Sequence, residues 1–207
     1  MPAAVILAGG RGERLGGVIK SELQVGGVRL LERVARGLAG CGPMLVAHGR
    51  LDPDLLRLPE GFVPVPDLAG DYAGPLAGFA AAVDWLRRAT ERQELLITVA
   101  VDTPFLPVDY VTRLVEGLGR GNAAIASYAG QIYPTNGIWR LSAFGGLVAR
   151  LADGTAPHSL KRLAASAGGS EIAWPESVAG DPFANANTPE ELAALERRAA
   201  TEKPGSR

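Results

Sequence analysis

The chain has 207 residues, the length of one ordinary domain, and its 21 basic and 22 acidic side chains give a formal net charge of −1. This balance leaves no basic field to hold nucleic acid, while a hydrophobic fraction of 47% is enough for a sizeable core. The single cysteine excludes an internal disulfide framework, and two histidines are too few for a multi-histidine zinc site. No apolar run reaches the roughly 18 residues of a membrane span, so we expect a cytoplasmic protein.

Short β-like runs alternate with segments of helical spacing along the chain. The runs cover Ala3–Leu7, Met44–Ala47, Phe62–Val65, Leu95–Val101 and Ala123–Ser127. The segments between them place apolar residues on one helix face around positions 30–38, 76–86 and 111–118. Strands that alternate with helices favour a largely parallel sheet covered on both faces. The sequence therefore predicts a single-domain, three-layer α/β fold.

The last helix has a well-defined start. Thr188 is a capping residue, Pro189 suits the first helical position, and Glu191 completes a capping box. The residues after position 196 are polar. We therefore assign residues 1–196 to the domain and residues 197–207 to a flexible C-terminal tail.

A glycine-rich turn, residues 9–17, follows the first strand. Turns of this kind bring backbone N–H groups close to a phosphate. The spacing matches neither the G-x-G-x-x-G pattern, because Leu15 stands where the third glycine is needed, nor a Walker loop. Arg11, Arg14 and Lys20 place three cations around the turn, which suits a triphosphate. The alternative is a solvated basic loop.

Asp102 directly follows the most apolar of the predicted strands. Ligands of open parallel sheets bind outside the carboxyl ends of the strands, and the glycine-rich turn leaves the same edge. Mg²⁺ uses one or two carboxylates together with substrate phosphates, and Mn²⁺ accepts the same ligands. Asp102 is therefore a candidate metal ligand that needs no histidine partner. The alternative is a loop-capping role, because Asp before Thr-Pro is also good turn chemistry.

Two further loops are candidates for ligand contacts. Gly74 and Gly78 allow close approach of a flat base, although helix packing by small residues explains Gly78 equally well. Asn185 and Asn187 precede the last helix, where they either bind a ligand or order the loop before the cap. His48 has no partner at ligand spacing, and we expect it to be an ordinary surface or loop residue.

Taken together, the motifs resemble the molybdenum cofactor guanylyltransferase family, the MobA-type proteins. That family carries Leu-Ala-Gly-Gly, then Gly-Gly-x-Asp-Lys, then Gly-Pro-Leu-Ala-Gly, Asp-x-Pro-(Phe/Tyr)-(Leu/Ile)-Pro and Asn-x-Asn-Thr-Pro-Glu-(Glu/Asp)-Leu. The matching segments here are residues 7–10, 16–20, 74–78, 102–107 and 185–192. The chain departs from the pattern where Ile19 replaces Asp, where Ala47 stands in place of a common asparagine, and where Tyr133 replaces His.

The resemblance implies a Rossmann-like nucleotidyltransferase fold that transfers GMP from GTP to the terminal phosphate of molybdenum-bound molybdopterin. It implies that Lys20 binds the phosphates and that Asp102 binds GTP-associated Mg²⁺, with Asn185 and Asn187 on the pterin side. The candidate catalytic residues are Arg14, Lys20 and Asp102. The candidate nucleotide- and cofactor-binding residues are Leu7, Ala8, Gly9, Gly10, Lys20, Asp67, Gly74, Pro75, Gly78, Asp102, Asn185 and Asn187. An attacking phosphate is already ionised near pH 7, so this chemistry needs cations and no strong general base.

The departures keep other functions open. One is cytidylyl transfer to the same cofactor, and another is nucleotidyl transfer to a sugar phosphate. A third is a non-catalytic GTP-binding partner of molybdoenzymes, which Ile19 and Ala47 favour and which Asp102 and Lys20 oppose. The expected substrates are GTP and Mo-molybdopterin. We also expect transient contact with molybdoenzymes or cofactor-insertion chaperones, and no contact with nucleic acid or membranes.

Overall fold

The computed structural model of the protein describes residues 1–12, 15–68, 74–89 and 93–201. Within these ranges no helix has the length and apolar character needed to cross a membrane. The strands in the described residues are β1 (Ala3–Leu7), β2 (Arg11–Gly12), β3 (Val18–Ile19), β4 (Gln24–Val25), β5 (Val28–Arg29), β6 (Met44–Gly49), β7 (Phe62–Pro66), β8 (Leu95–Ala100), β9 (Ala123–Tyr128), β10 (Gln131–Arg140) and β11 (Ser170–Trp174). The α-helices are α1 (Leu30–Gly37), α2 (Pro75–Ala89), α3 (Tyr110–Leu118), α4 (Leu147–Ala152), α5 (Leu160–Ser166) and α6 (Pro189–Thr201).

Seven strands form one sheet in the order β11-β9-β10-β8-β1-β6-β7. Strand β1 lies between β8 and β6 and runs parallel to both. Strands β7 and β11 also run parallel to their neighbours, whereas β10 is antiparallel to β8 and β9. The predicted mostly parallel sheet is confirmed.

Helices cover both faces of this sheet. Successive side chains of a strand point to opposite faces, so alternate residues of β1 enter two separate cores. Ala3 and Val5 pack with residues of α2, α4 and α5. Ala4 and Ile6 pack on the other face with residues of α1 and α3. The result is the predicted three-layer arrangement, with β1 buried on both sides.

A third apolar cluster fixes the C-terminal helix to the N-terminal half of the chain. Val25 of β4, Phe105 and Leu195 of α6 are buried together in it. The guanidinium of Arg33 donates to the carbonyl of Val25 at 2.6 Å and lies over the Phe105 ring. This cluster holds the loop that precedes α6 against the carboxyl edge of the sheet.

The start of α6 is as predicted, but its end is not. Thr188 Oγ1 accepts a hydrogen bond from the N–H of Glu191 at 3.2 Å, and Glu191 Oε2 accepts one from the N–H of Thr188 at 3.1 Å. The helix continues to Thr201, so residues 197–201 are helical although we expected the tail to begin there. Residues 202–207, the remainder of the predicted tail, lie outside the described residues.

The five predicted strands are present, with ends that shift by at most two residues. Two strands of the sheet, β10 and β11, were not predicted. β10 contains Pro134, and its pairing with β9 shifts register between Tyr133 and Gly137. Such a bulge breaks the period-two pattern from which a strand is recognised. Helices α4 and α5 were also missed, because six and seven residues are too few for a clear helical period.

Candidate active site

A cavity of about 380 Å³ opens at the carboxyl edge of strands β1, β6 and β8. Its volume is in the range of ordinary ligand sites. Its walls come from five loops, the start of α2 and the middle of β10. The lining residues are Leu7, Gly9, Gly10, Lys20, Ala47, Asp67, Gly74, Pro75, Gly78, Ala100, Val101, Asp102, Thr135 and Asn185. The position at the carboxyl ends of parallel strands is the one expected for a ligand site in this architecture.

The turn after β1 requires glycine because two backbones meet there. A Cβ atom on Gly9 would lie 2.9 Å from the backbone nitrogen of Gly49, closer than real Cβ contacts allow. Gly49 itself has φ +64°, a conformation that favours glycine. A Cβ atom on Gly10 would meet nothing within 4 Å. The first glycine therefore serves the fold, and the second faces open space at the cavity.

Among the side chains that the structure describes, Lys20 is the cation that lines the cavity. It begins a 3-10 turn, Lys20–Glu22, and its Nζ atom donates to Asp102 Oδ2 at 2.6 Å and to Asn187 Oδ1 at 2.6 Å. The Lys20 and Asp102 side chains are only 13% and 11% exposed. Asn187 does not line the cavity. It is connected to the cavity by its hydrogen bond with Lys20. Arg14, the third candidate catalytic residue, lies outside the described residues.

Asp67 follows β7 at the far side of the cavity. Near it lies His48, whose predicted surface or loop position is wrong. His48 is buried in β6, not on the surface or in a loop, and its Nδ1 atom lies 2.7 Å from the carbonyl of Leu51. Burial raises the pKa of the Asp67 carboxyl, and the nearby His48 and Arg50 oppose that shift. The Asp67 carboxyl therefore binds its proton more tightly in the folded protein than it would in water.

The start of α2 forms another wall of the cavity. Gly74 precedes the helix with φ +86°, a left-handed value that favours glycine, and Pro75 is the first helical residue. A Cβ atom on Gly78 would lie 3.0 Å from Ala47 Cβ and 3.1 Å from the Leu7 side chain. Gly78 therefore lets the helix pack closely on the sheet, and it also lines the cavity. The packing interpretation of this glycine is confirmed, and its contact with a base stays a prediction.

Two site features were missed because they lie on the unpredicted strand β10. Thr135 lines the cavity, and next to it Asn136 is fully buried. Asn136 Oδ1 accepts a hydrogen bond from the N–H of Ala100 at 3.1 Å, where β10 diverges from β8. Its Nδ2 atom has no partner among the described residues. The pattern Tyr-Pro-Thr-Asn-Gly was visible in the sequence, but nothing in it signals a strand that borders a ligand cavity.

Most of the predicted binding residues line this one cavity. Leu7, Gly9, Gly10, Lys20, Asp67, Gly74, Pro75, Gly78, Asp102 and Asn185 do so. Ala8 does not line it: its side chain is buried in the core on the α1 and α3 face, and its contact with nucleotide stays a prediction. The described residues contain no cluster of three or more His, Cys, Asp and Glu side chains suited to a metal ion.

A larger groove of about 560 Å³ lies at the opposite edge of the sheet, beside the start of β8. It contains two arginines, but both are bound to backbone carbonyls. Arg140 donates to Gly121 at 3.0 Å and to Gly119 at 2.9 Å, and Arg87 donates to Gly145. The candidate catalytic side chains that the structure describes lie in the smaller cavity, so size does not identify the site here.

The family model described as MobA-like NTP transferase domain matches residues 4–197 of this chain. A molybdenum cofactor guanylyltransferase of Nitrobacter hamburgensis is 37% identical over 203 residues, which cover 95% of this chain and 93% of the relative. One from Rhodobacter capsulatus is 38% identical and covers 95% of both chains.

Solved structures with the same fold include the molybdopterin-guanine dinucleotide biosynthesis protein A of Archaeoglobus fulgidus. It has a TM-score of 0.70 and 23% identity, with 98% of this chain and 100% of that chain covered. The 2-C-methyl-D-erythritol 4-phosphate cytidylyltransferase of Thermus thermophilus has a TM-score of 0.66 and 20% identity, with 97% and 100% covered. At these identities the likeness concerns the fold alone. The sequence relationships and the cavity agree that the chain is a nucleotidyltransferase and belongs to the MobA-like molybdenum cofactor guanylyltransferase family.

Proposed function

We propose that the protein transfers GMP from GTP to the terminal phosphate of molybdenum-bound molybdopterin and releases pyrophosphate. The observation that carries this proposal is the match, along almost the whole chain, to relatives named molybdenum cofactor guanylyltransferase. These names favour guanylyl transfer over the cytidylyl, sugar-phosphate and non-catalytic alternatives. The cavity supplies what such a transfer needs, which is a buried cation, a carboxylate and exposed backbone at a glycine-rich turn.

The order of the strands indicates which side of the cavity holds the nucleoside and which side holds the phosphates. Asp102 follows β8 and Asp67 follows β7, and β1 and β6 lie between these two strands. Three interstrand spacings place the ends of these two strands about 14 Å apart. We assign the nucleoside of GTP to the Asp67 side, against Ala47 and Gly78, and the phosphates to the side of Lys20 and Asp102.

The acceptor then lies beyond Asp102, on the side of β10. A smaller cavity of about 250 Å³ continues there and shares Pro75 and Thr135 with the main one. His158 and Lys161 border it, so the extension has the cationic side chain of Lys161 next to the position of an anionic acceptor. Asn185 lines the main cavity and is our candidate contact to the acceptor phosphate.

The chemistry is an in-line displacement at phosphorus. An oxygen of the acceptor's terminal phosphate forms a bond to the α-phosphorus of GTP, and the bond from that phosphorus to the oxygen bridging the β-phosphate breaks. Pyrophosphate carries away the electron pair of the broken bond. The acceptor phosphate is already ionised, so the residues of the site position the reactants and balance negative charge. Lys20 balances charge at the phosphates, and the N-terminus of α2 adds the positive end of a helix dipole.

A magnesium ion is part of this proposal, and the donor set of the site suits it. Asp102 presents a carboxylate at the cavity wall beside Asn185, and oxygen atoms of this kind are the ligands that Mg²⁺ prefers. Because substrate phosphates and waters complete its shell, one protein carboxylate is enough. When bound, Mg²⁺ neutralises charge on the phosphates, and Asp102 is the residue that would hold it. Mn²⁺ is expected to substitute for it.

The wider setting of the enzyme also stays a prediction. A cofactor made here must reach molybdoenzymes, so we expect brief contact with them or with cofactor-insertion chaperones. A cytoplasmic location is expected for the same reason.

Thermal unfolding with Mg²⁺ and one nucleoside triphosphate at a time tests the choice of nucleotide. A ligand at about 100 times its Kd adds roughly 2.7 kcal/mol, which raises Tm by about 5–10 °C for a chain of this size. We expect this shift with GTP and not with CTP, ATP or UTP, and a smaller shift when Mg²⁺ is left out. A shift with CTP alone would replace guanylyl by cytidylyl transfer, and no shift with any of the four would favour the non-catalytic alternative.

A further inference from the structure

The ammonium group of Lys20 is held by two acceptors that differ in charge. Asp102 Oδ2 and Asn187 Oδ1 each lie 2.6 Å from Nζ. A lysine has three N–H donors, so one remains for a ligand in the cavity that Lys20 lines. The amide of Asn187 fixes the direction of the ammonium group without neutralising it. Asp102 balances the lysine charge in the free protein, whereas Asn187 adds no further negative charge that would repel phosphates.

The local backbone does little to aim this lysine. Lys20 begins a three-residue 3-10 turn that follows the two-residue strand β3. The preceding residue, Ile19, has no polar side-chain atom with which to orient it and packs partly against an apolar cluster. The position of Nζ must therefore come from contacts made at the end of its side chain, and those are with residues 82 and 167 positions away.

Asn187 is itself firmly placed by the start of α6. Glu191 Oε2 accepts hydrogen bonds from the N–H groups of Asn187 at 2.7 Å and Thr188 at 3.1 Å. One residue earlier, Ala186 is fully buried and its N–H donates to the carbonyl of Asp102 at 3.2 Å. The capping box of α6 and this backbone bond together set the spacing between the two acceptors of Lys20.

We propose that Asn187 is a positioning residue that acts through Lys20, so that the capping box of α6 aims the phosphate-binding lysine. This inference rests on the proposed function, and it gives Asn187 a role other than the pterin contact implied by the family resemblance. An asparagine suits the role better than an aspartate, because a second carboxylate beside Lys20 would repel a triphosphate. Loss of the Asn187 amide leaves Lys20 with Asp102 as its remaining partner.

The first test measures the placement of Lys20 without any nucleotide. The chain has only three lysines, Lys20, Lys161 and Lys203, so reductive methylation of the full-length protein can be followed for each by mass spectrometry. Asn187→Ala should raise the methylation rate of Lys20 about tenfold relative to exposed Lys161, because the ammonium group loses a charge-assisted hydrogen bond. Asn122→Ala, the same change at an exposed asparagine that bonds the carbonyl of Ala167, should leave that ratio unchanged. An unchanged ratio in Asn187→Ala would overturn the inference.

The isosteric variant Asn187→Asp keeps a hydrogen-bond acceptor at the same place. It therefore tests whether the effect of Asn187→Ala comes from the lost acceptor or from a loosened loop. It should keep Lys20 at least as protected as the wild-type chain does. At the same time it should weaken binding of Mg²⁺-GTP, since it adds a negative charge beside the phosphates. If Lys20 became as reactive in Asn187→Asp as in Asn187→Ala, the proposed geometry would be wrong.

A double-mutant cycle on the Kd of Mg²⁺-GTP separates positioning from direct contact. Asn187→Ala should weaken binding about tenfold in the wild-type chain and less than twofold in the Lys20→Ala chain, because its effect passes through the lysine. Equal effects in both backgrounds would mean that Asn187 touches the ligand or supports the fold, and would overturn the inference. If the wild-type chain bound no GTP, the proposed function would fail, while the methylation ratios would still decide whether Asn187 places Lys20.

Discussion

Lys20 Nζ lies 2.6 Å from Asp102 Oδ2, although 82 residues separate the two in the chain. The parallel pairing of β1 with β8 brings their loops to one edge of the sheet. Both side chains are largely shielded from water, so the removal of either leaves the other as a poorly solvated charge. The pair is therefore a structural contact in the free protein and a ready set of phosphate- and metal-binding groups.

Asp102→Ala should abolish Mg²⁺-dependent turnover while the fold persists. The expected loss in kcat is at least about a hundredfold, because the site loses its carboxylate at the phosphates and Lys20 loses its charged partner. Asn187 still accepts from Lys20, which limits the cost to stability. Asp84→Ala is the matched control, since Asp84 pairs with exposed Arg88 on α2. Normal turnover by Asp102→Ala would refute the assignment of this residue.

Two adjacent glycines of the first turn should respond differently to alanine. Gly9→Ala forces a Cβ atom against the backbone of Gly49 and should destabilise the protein by about 1–3 kcal/mol. Gly10→Ala meets open space and should change the free energy of unfolding by less than about 0.5 kcal/mol. Urea unfolding of the two variants provides the comparison. Equal losses would contradict the close approach of the two backbones.

Asp67→Asn should stabilise the protein at neutral pH. The pKa of Asp67 is raised above its ordinary value of 3.8, chiefly by burial, so the folded state binds this proton more tightly than the unfolded state. The unfolding free energy of the wild-type chain therefore falls as pH rises from the ordinary pKa through the raised one. The stability advantage of Asp67→Asn should be largest at pH 7 and should shrink towards pH 3. Urea midpoints that differ by the same amount at both pH values would show that burial does not disfavour this charge.

Thr98→Val should destabilise the protein although valine is the more hydrophobic residue. Thr98 is fully buried in β8, and its Oγ1 accepts a hydrogen bond from the indole N–H of Trp139 at 2.9 Å. Valine would leave that donor unpaired in the core, at a cost of about 1–3 kcal/mol. Thr98→Ser keeps the hydroxyl and loses one methyl group, so it should cost about 0.8 kcal/mol. A larger loss in the serine variant than in the valine variant would argue against this hydrogen bond.

The parts of the fold that the sequence predicts are those governed by local pattern. The apolar run from Leu95 onwards is recognisable because a central parallel strand is buried on both faces. The start of α6 is recognisable because Thr188 and Glu191 are three residues apart, and the structure confirms their reciprocal hydrogen bonds. By contrast, β10 carries a bulge around Pro134 and Asn136, and no local pattern marks it as a strand.

In the candidate site, too, some features could be predicted from local sequence and others depend on the tertiary structure. Asp102 and Lys20 are predictable because their types and motifs indicate phosphate chemistry. The burial of His48 and the cavity position of Thr135 depend on which strands become neighbours, and this is a tertiary property. The bond between Asn187 and Lys20 spans 167 residues, and no spacing rule in one sequence can reveal it. The chemical role of Asp102 and Lys20 could therefore be predicted from the sequence, but the partners of the side chains in the site could not.

The most direct test of the account follows the transferred phosphorus. The full chain is incubated with Mg²⁺, molybdenum-bound molybdopterin and GTP labelled at the α-phosphorus, and the labelled product and released pyrophosphate are measured. We predict label in a guanine dinucleotide form of the cofactor, equal amounts of pyrophosphate, and no comparable product from CTP. Transfer from CTP alone would contradict it, as would no transfer from GTP under conditions in which the Rhodobacter capsulatus relative converts the same acceptor.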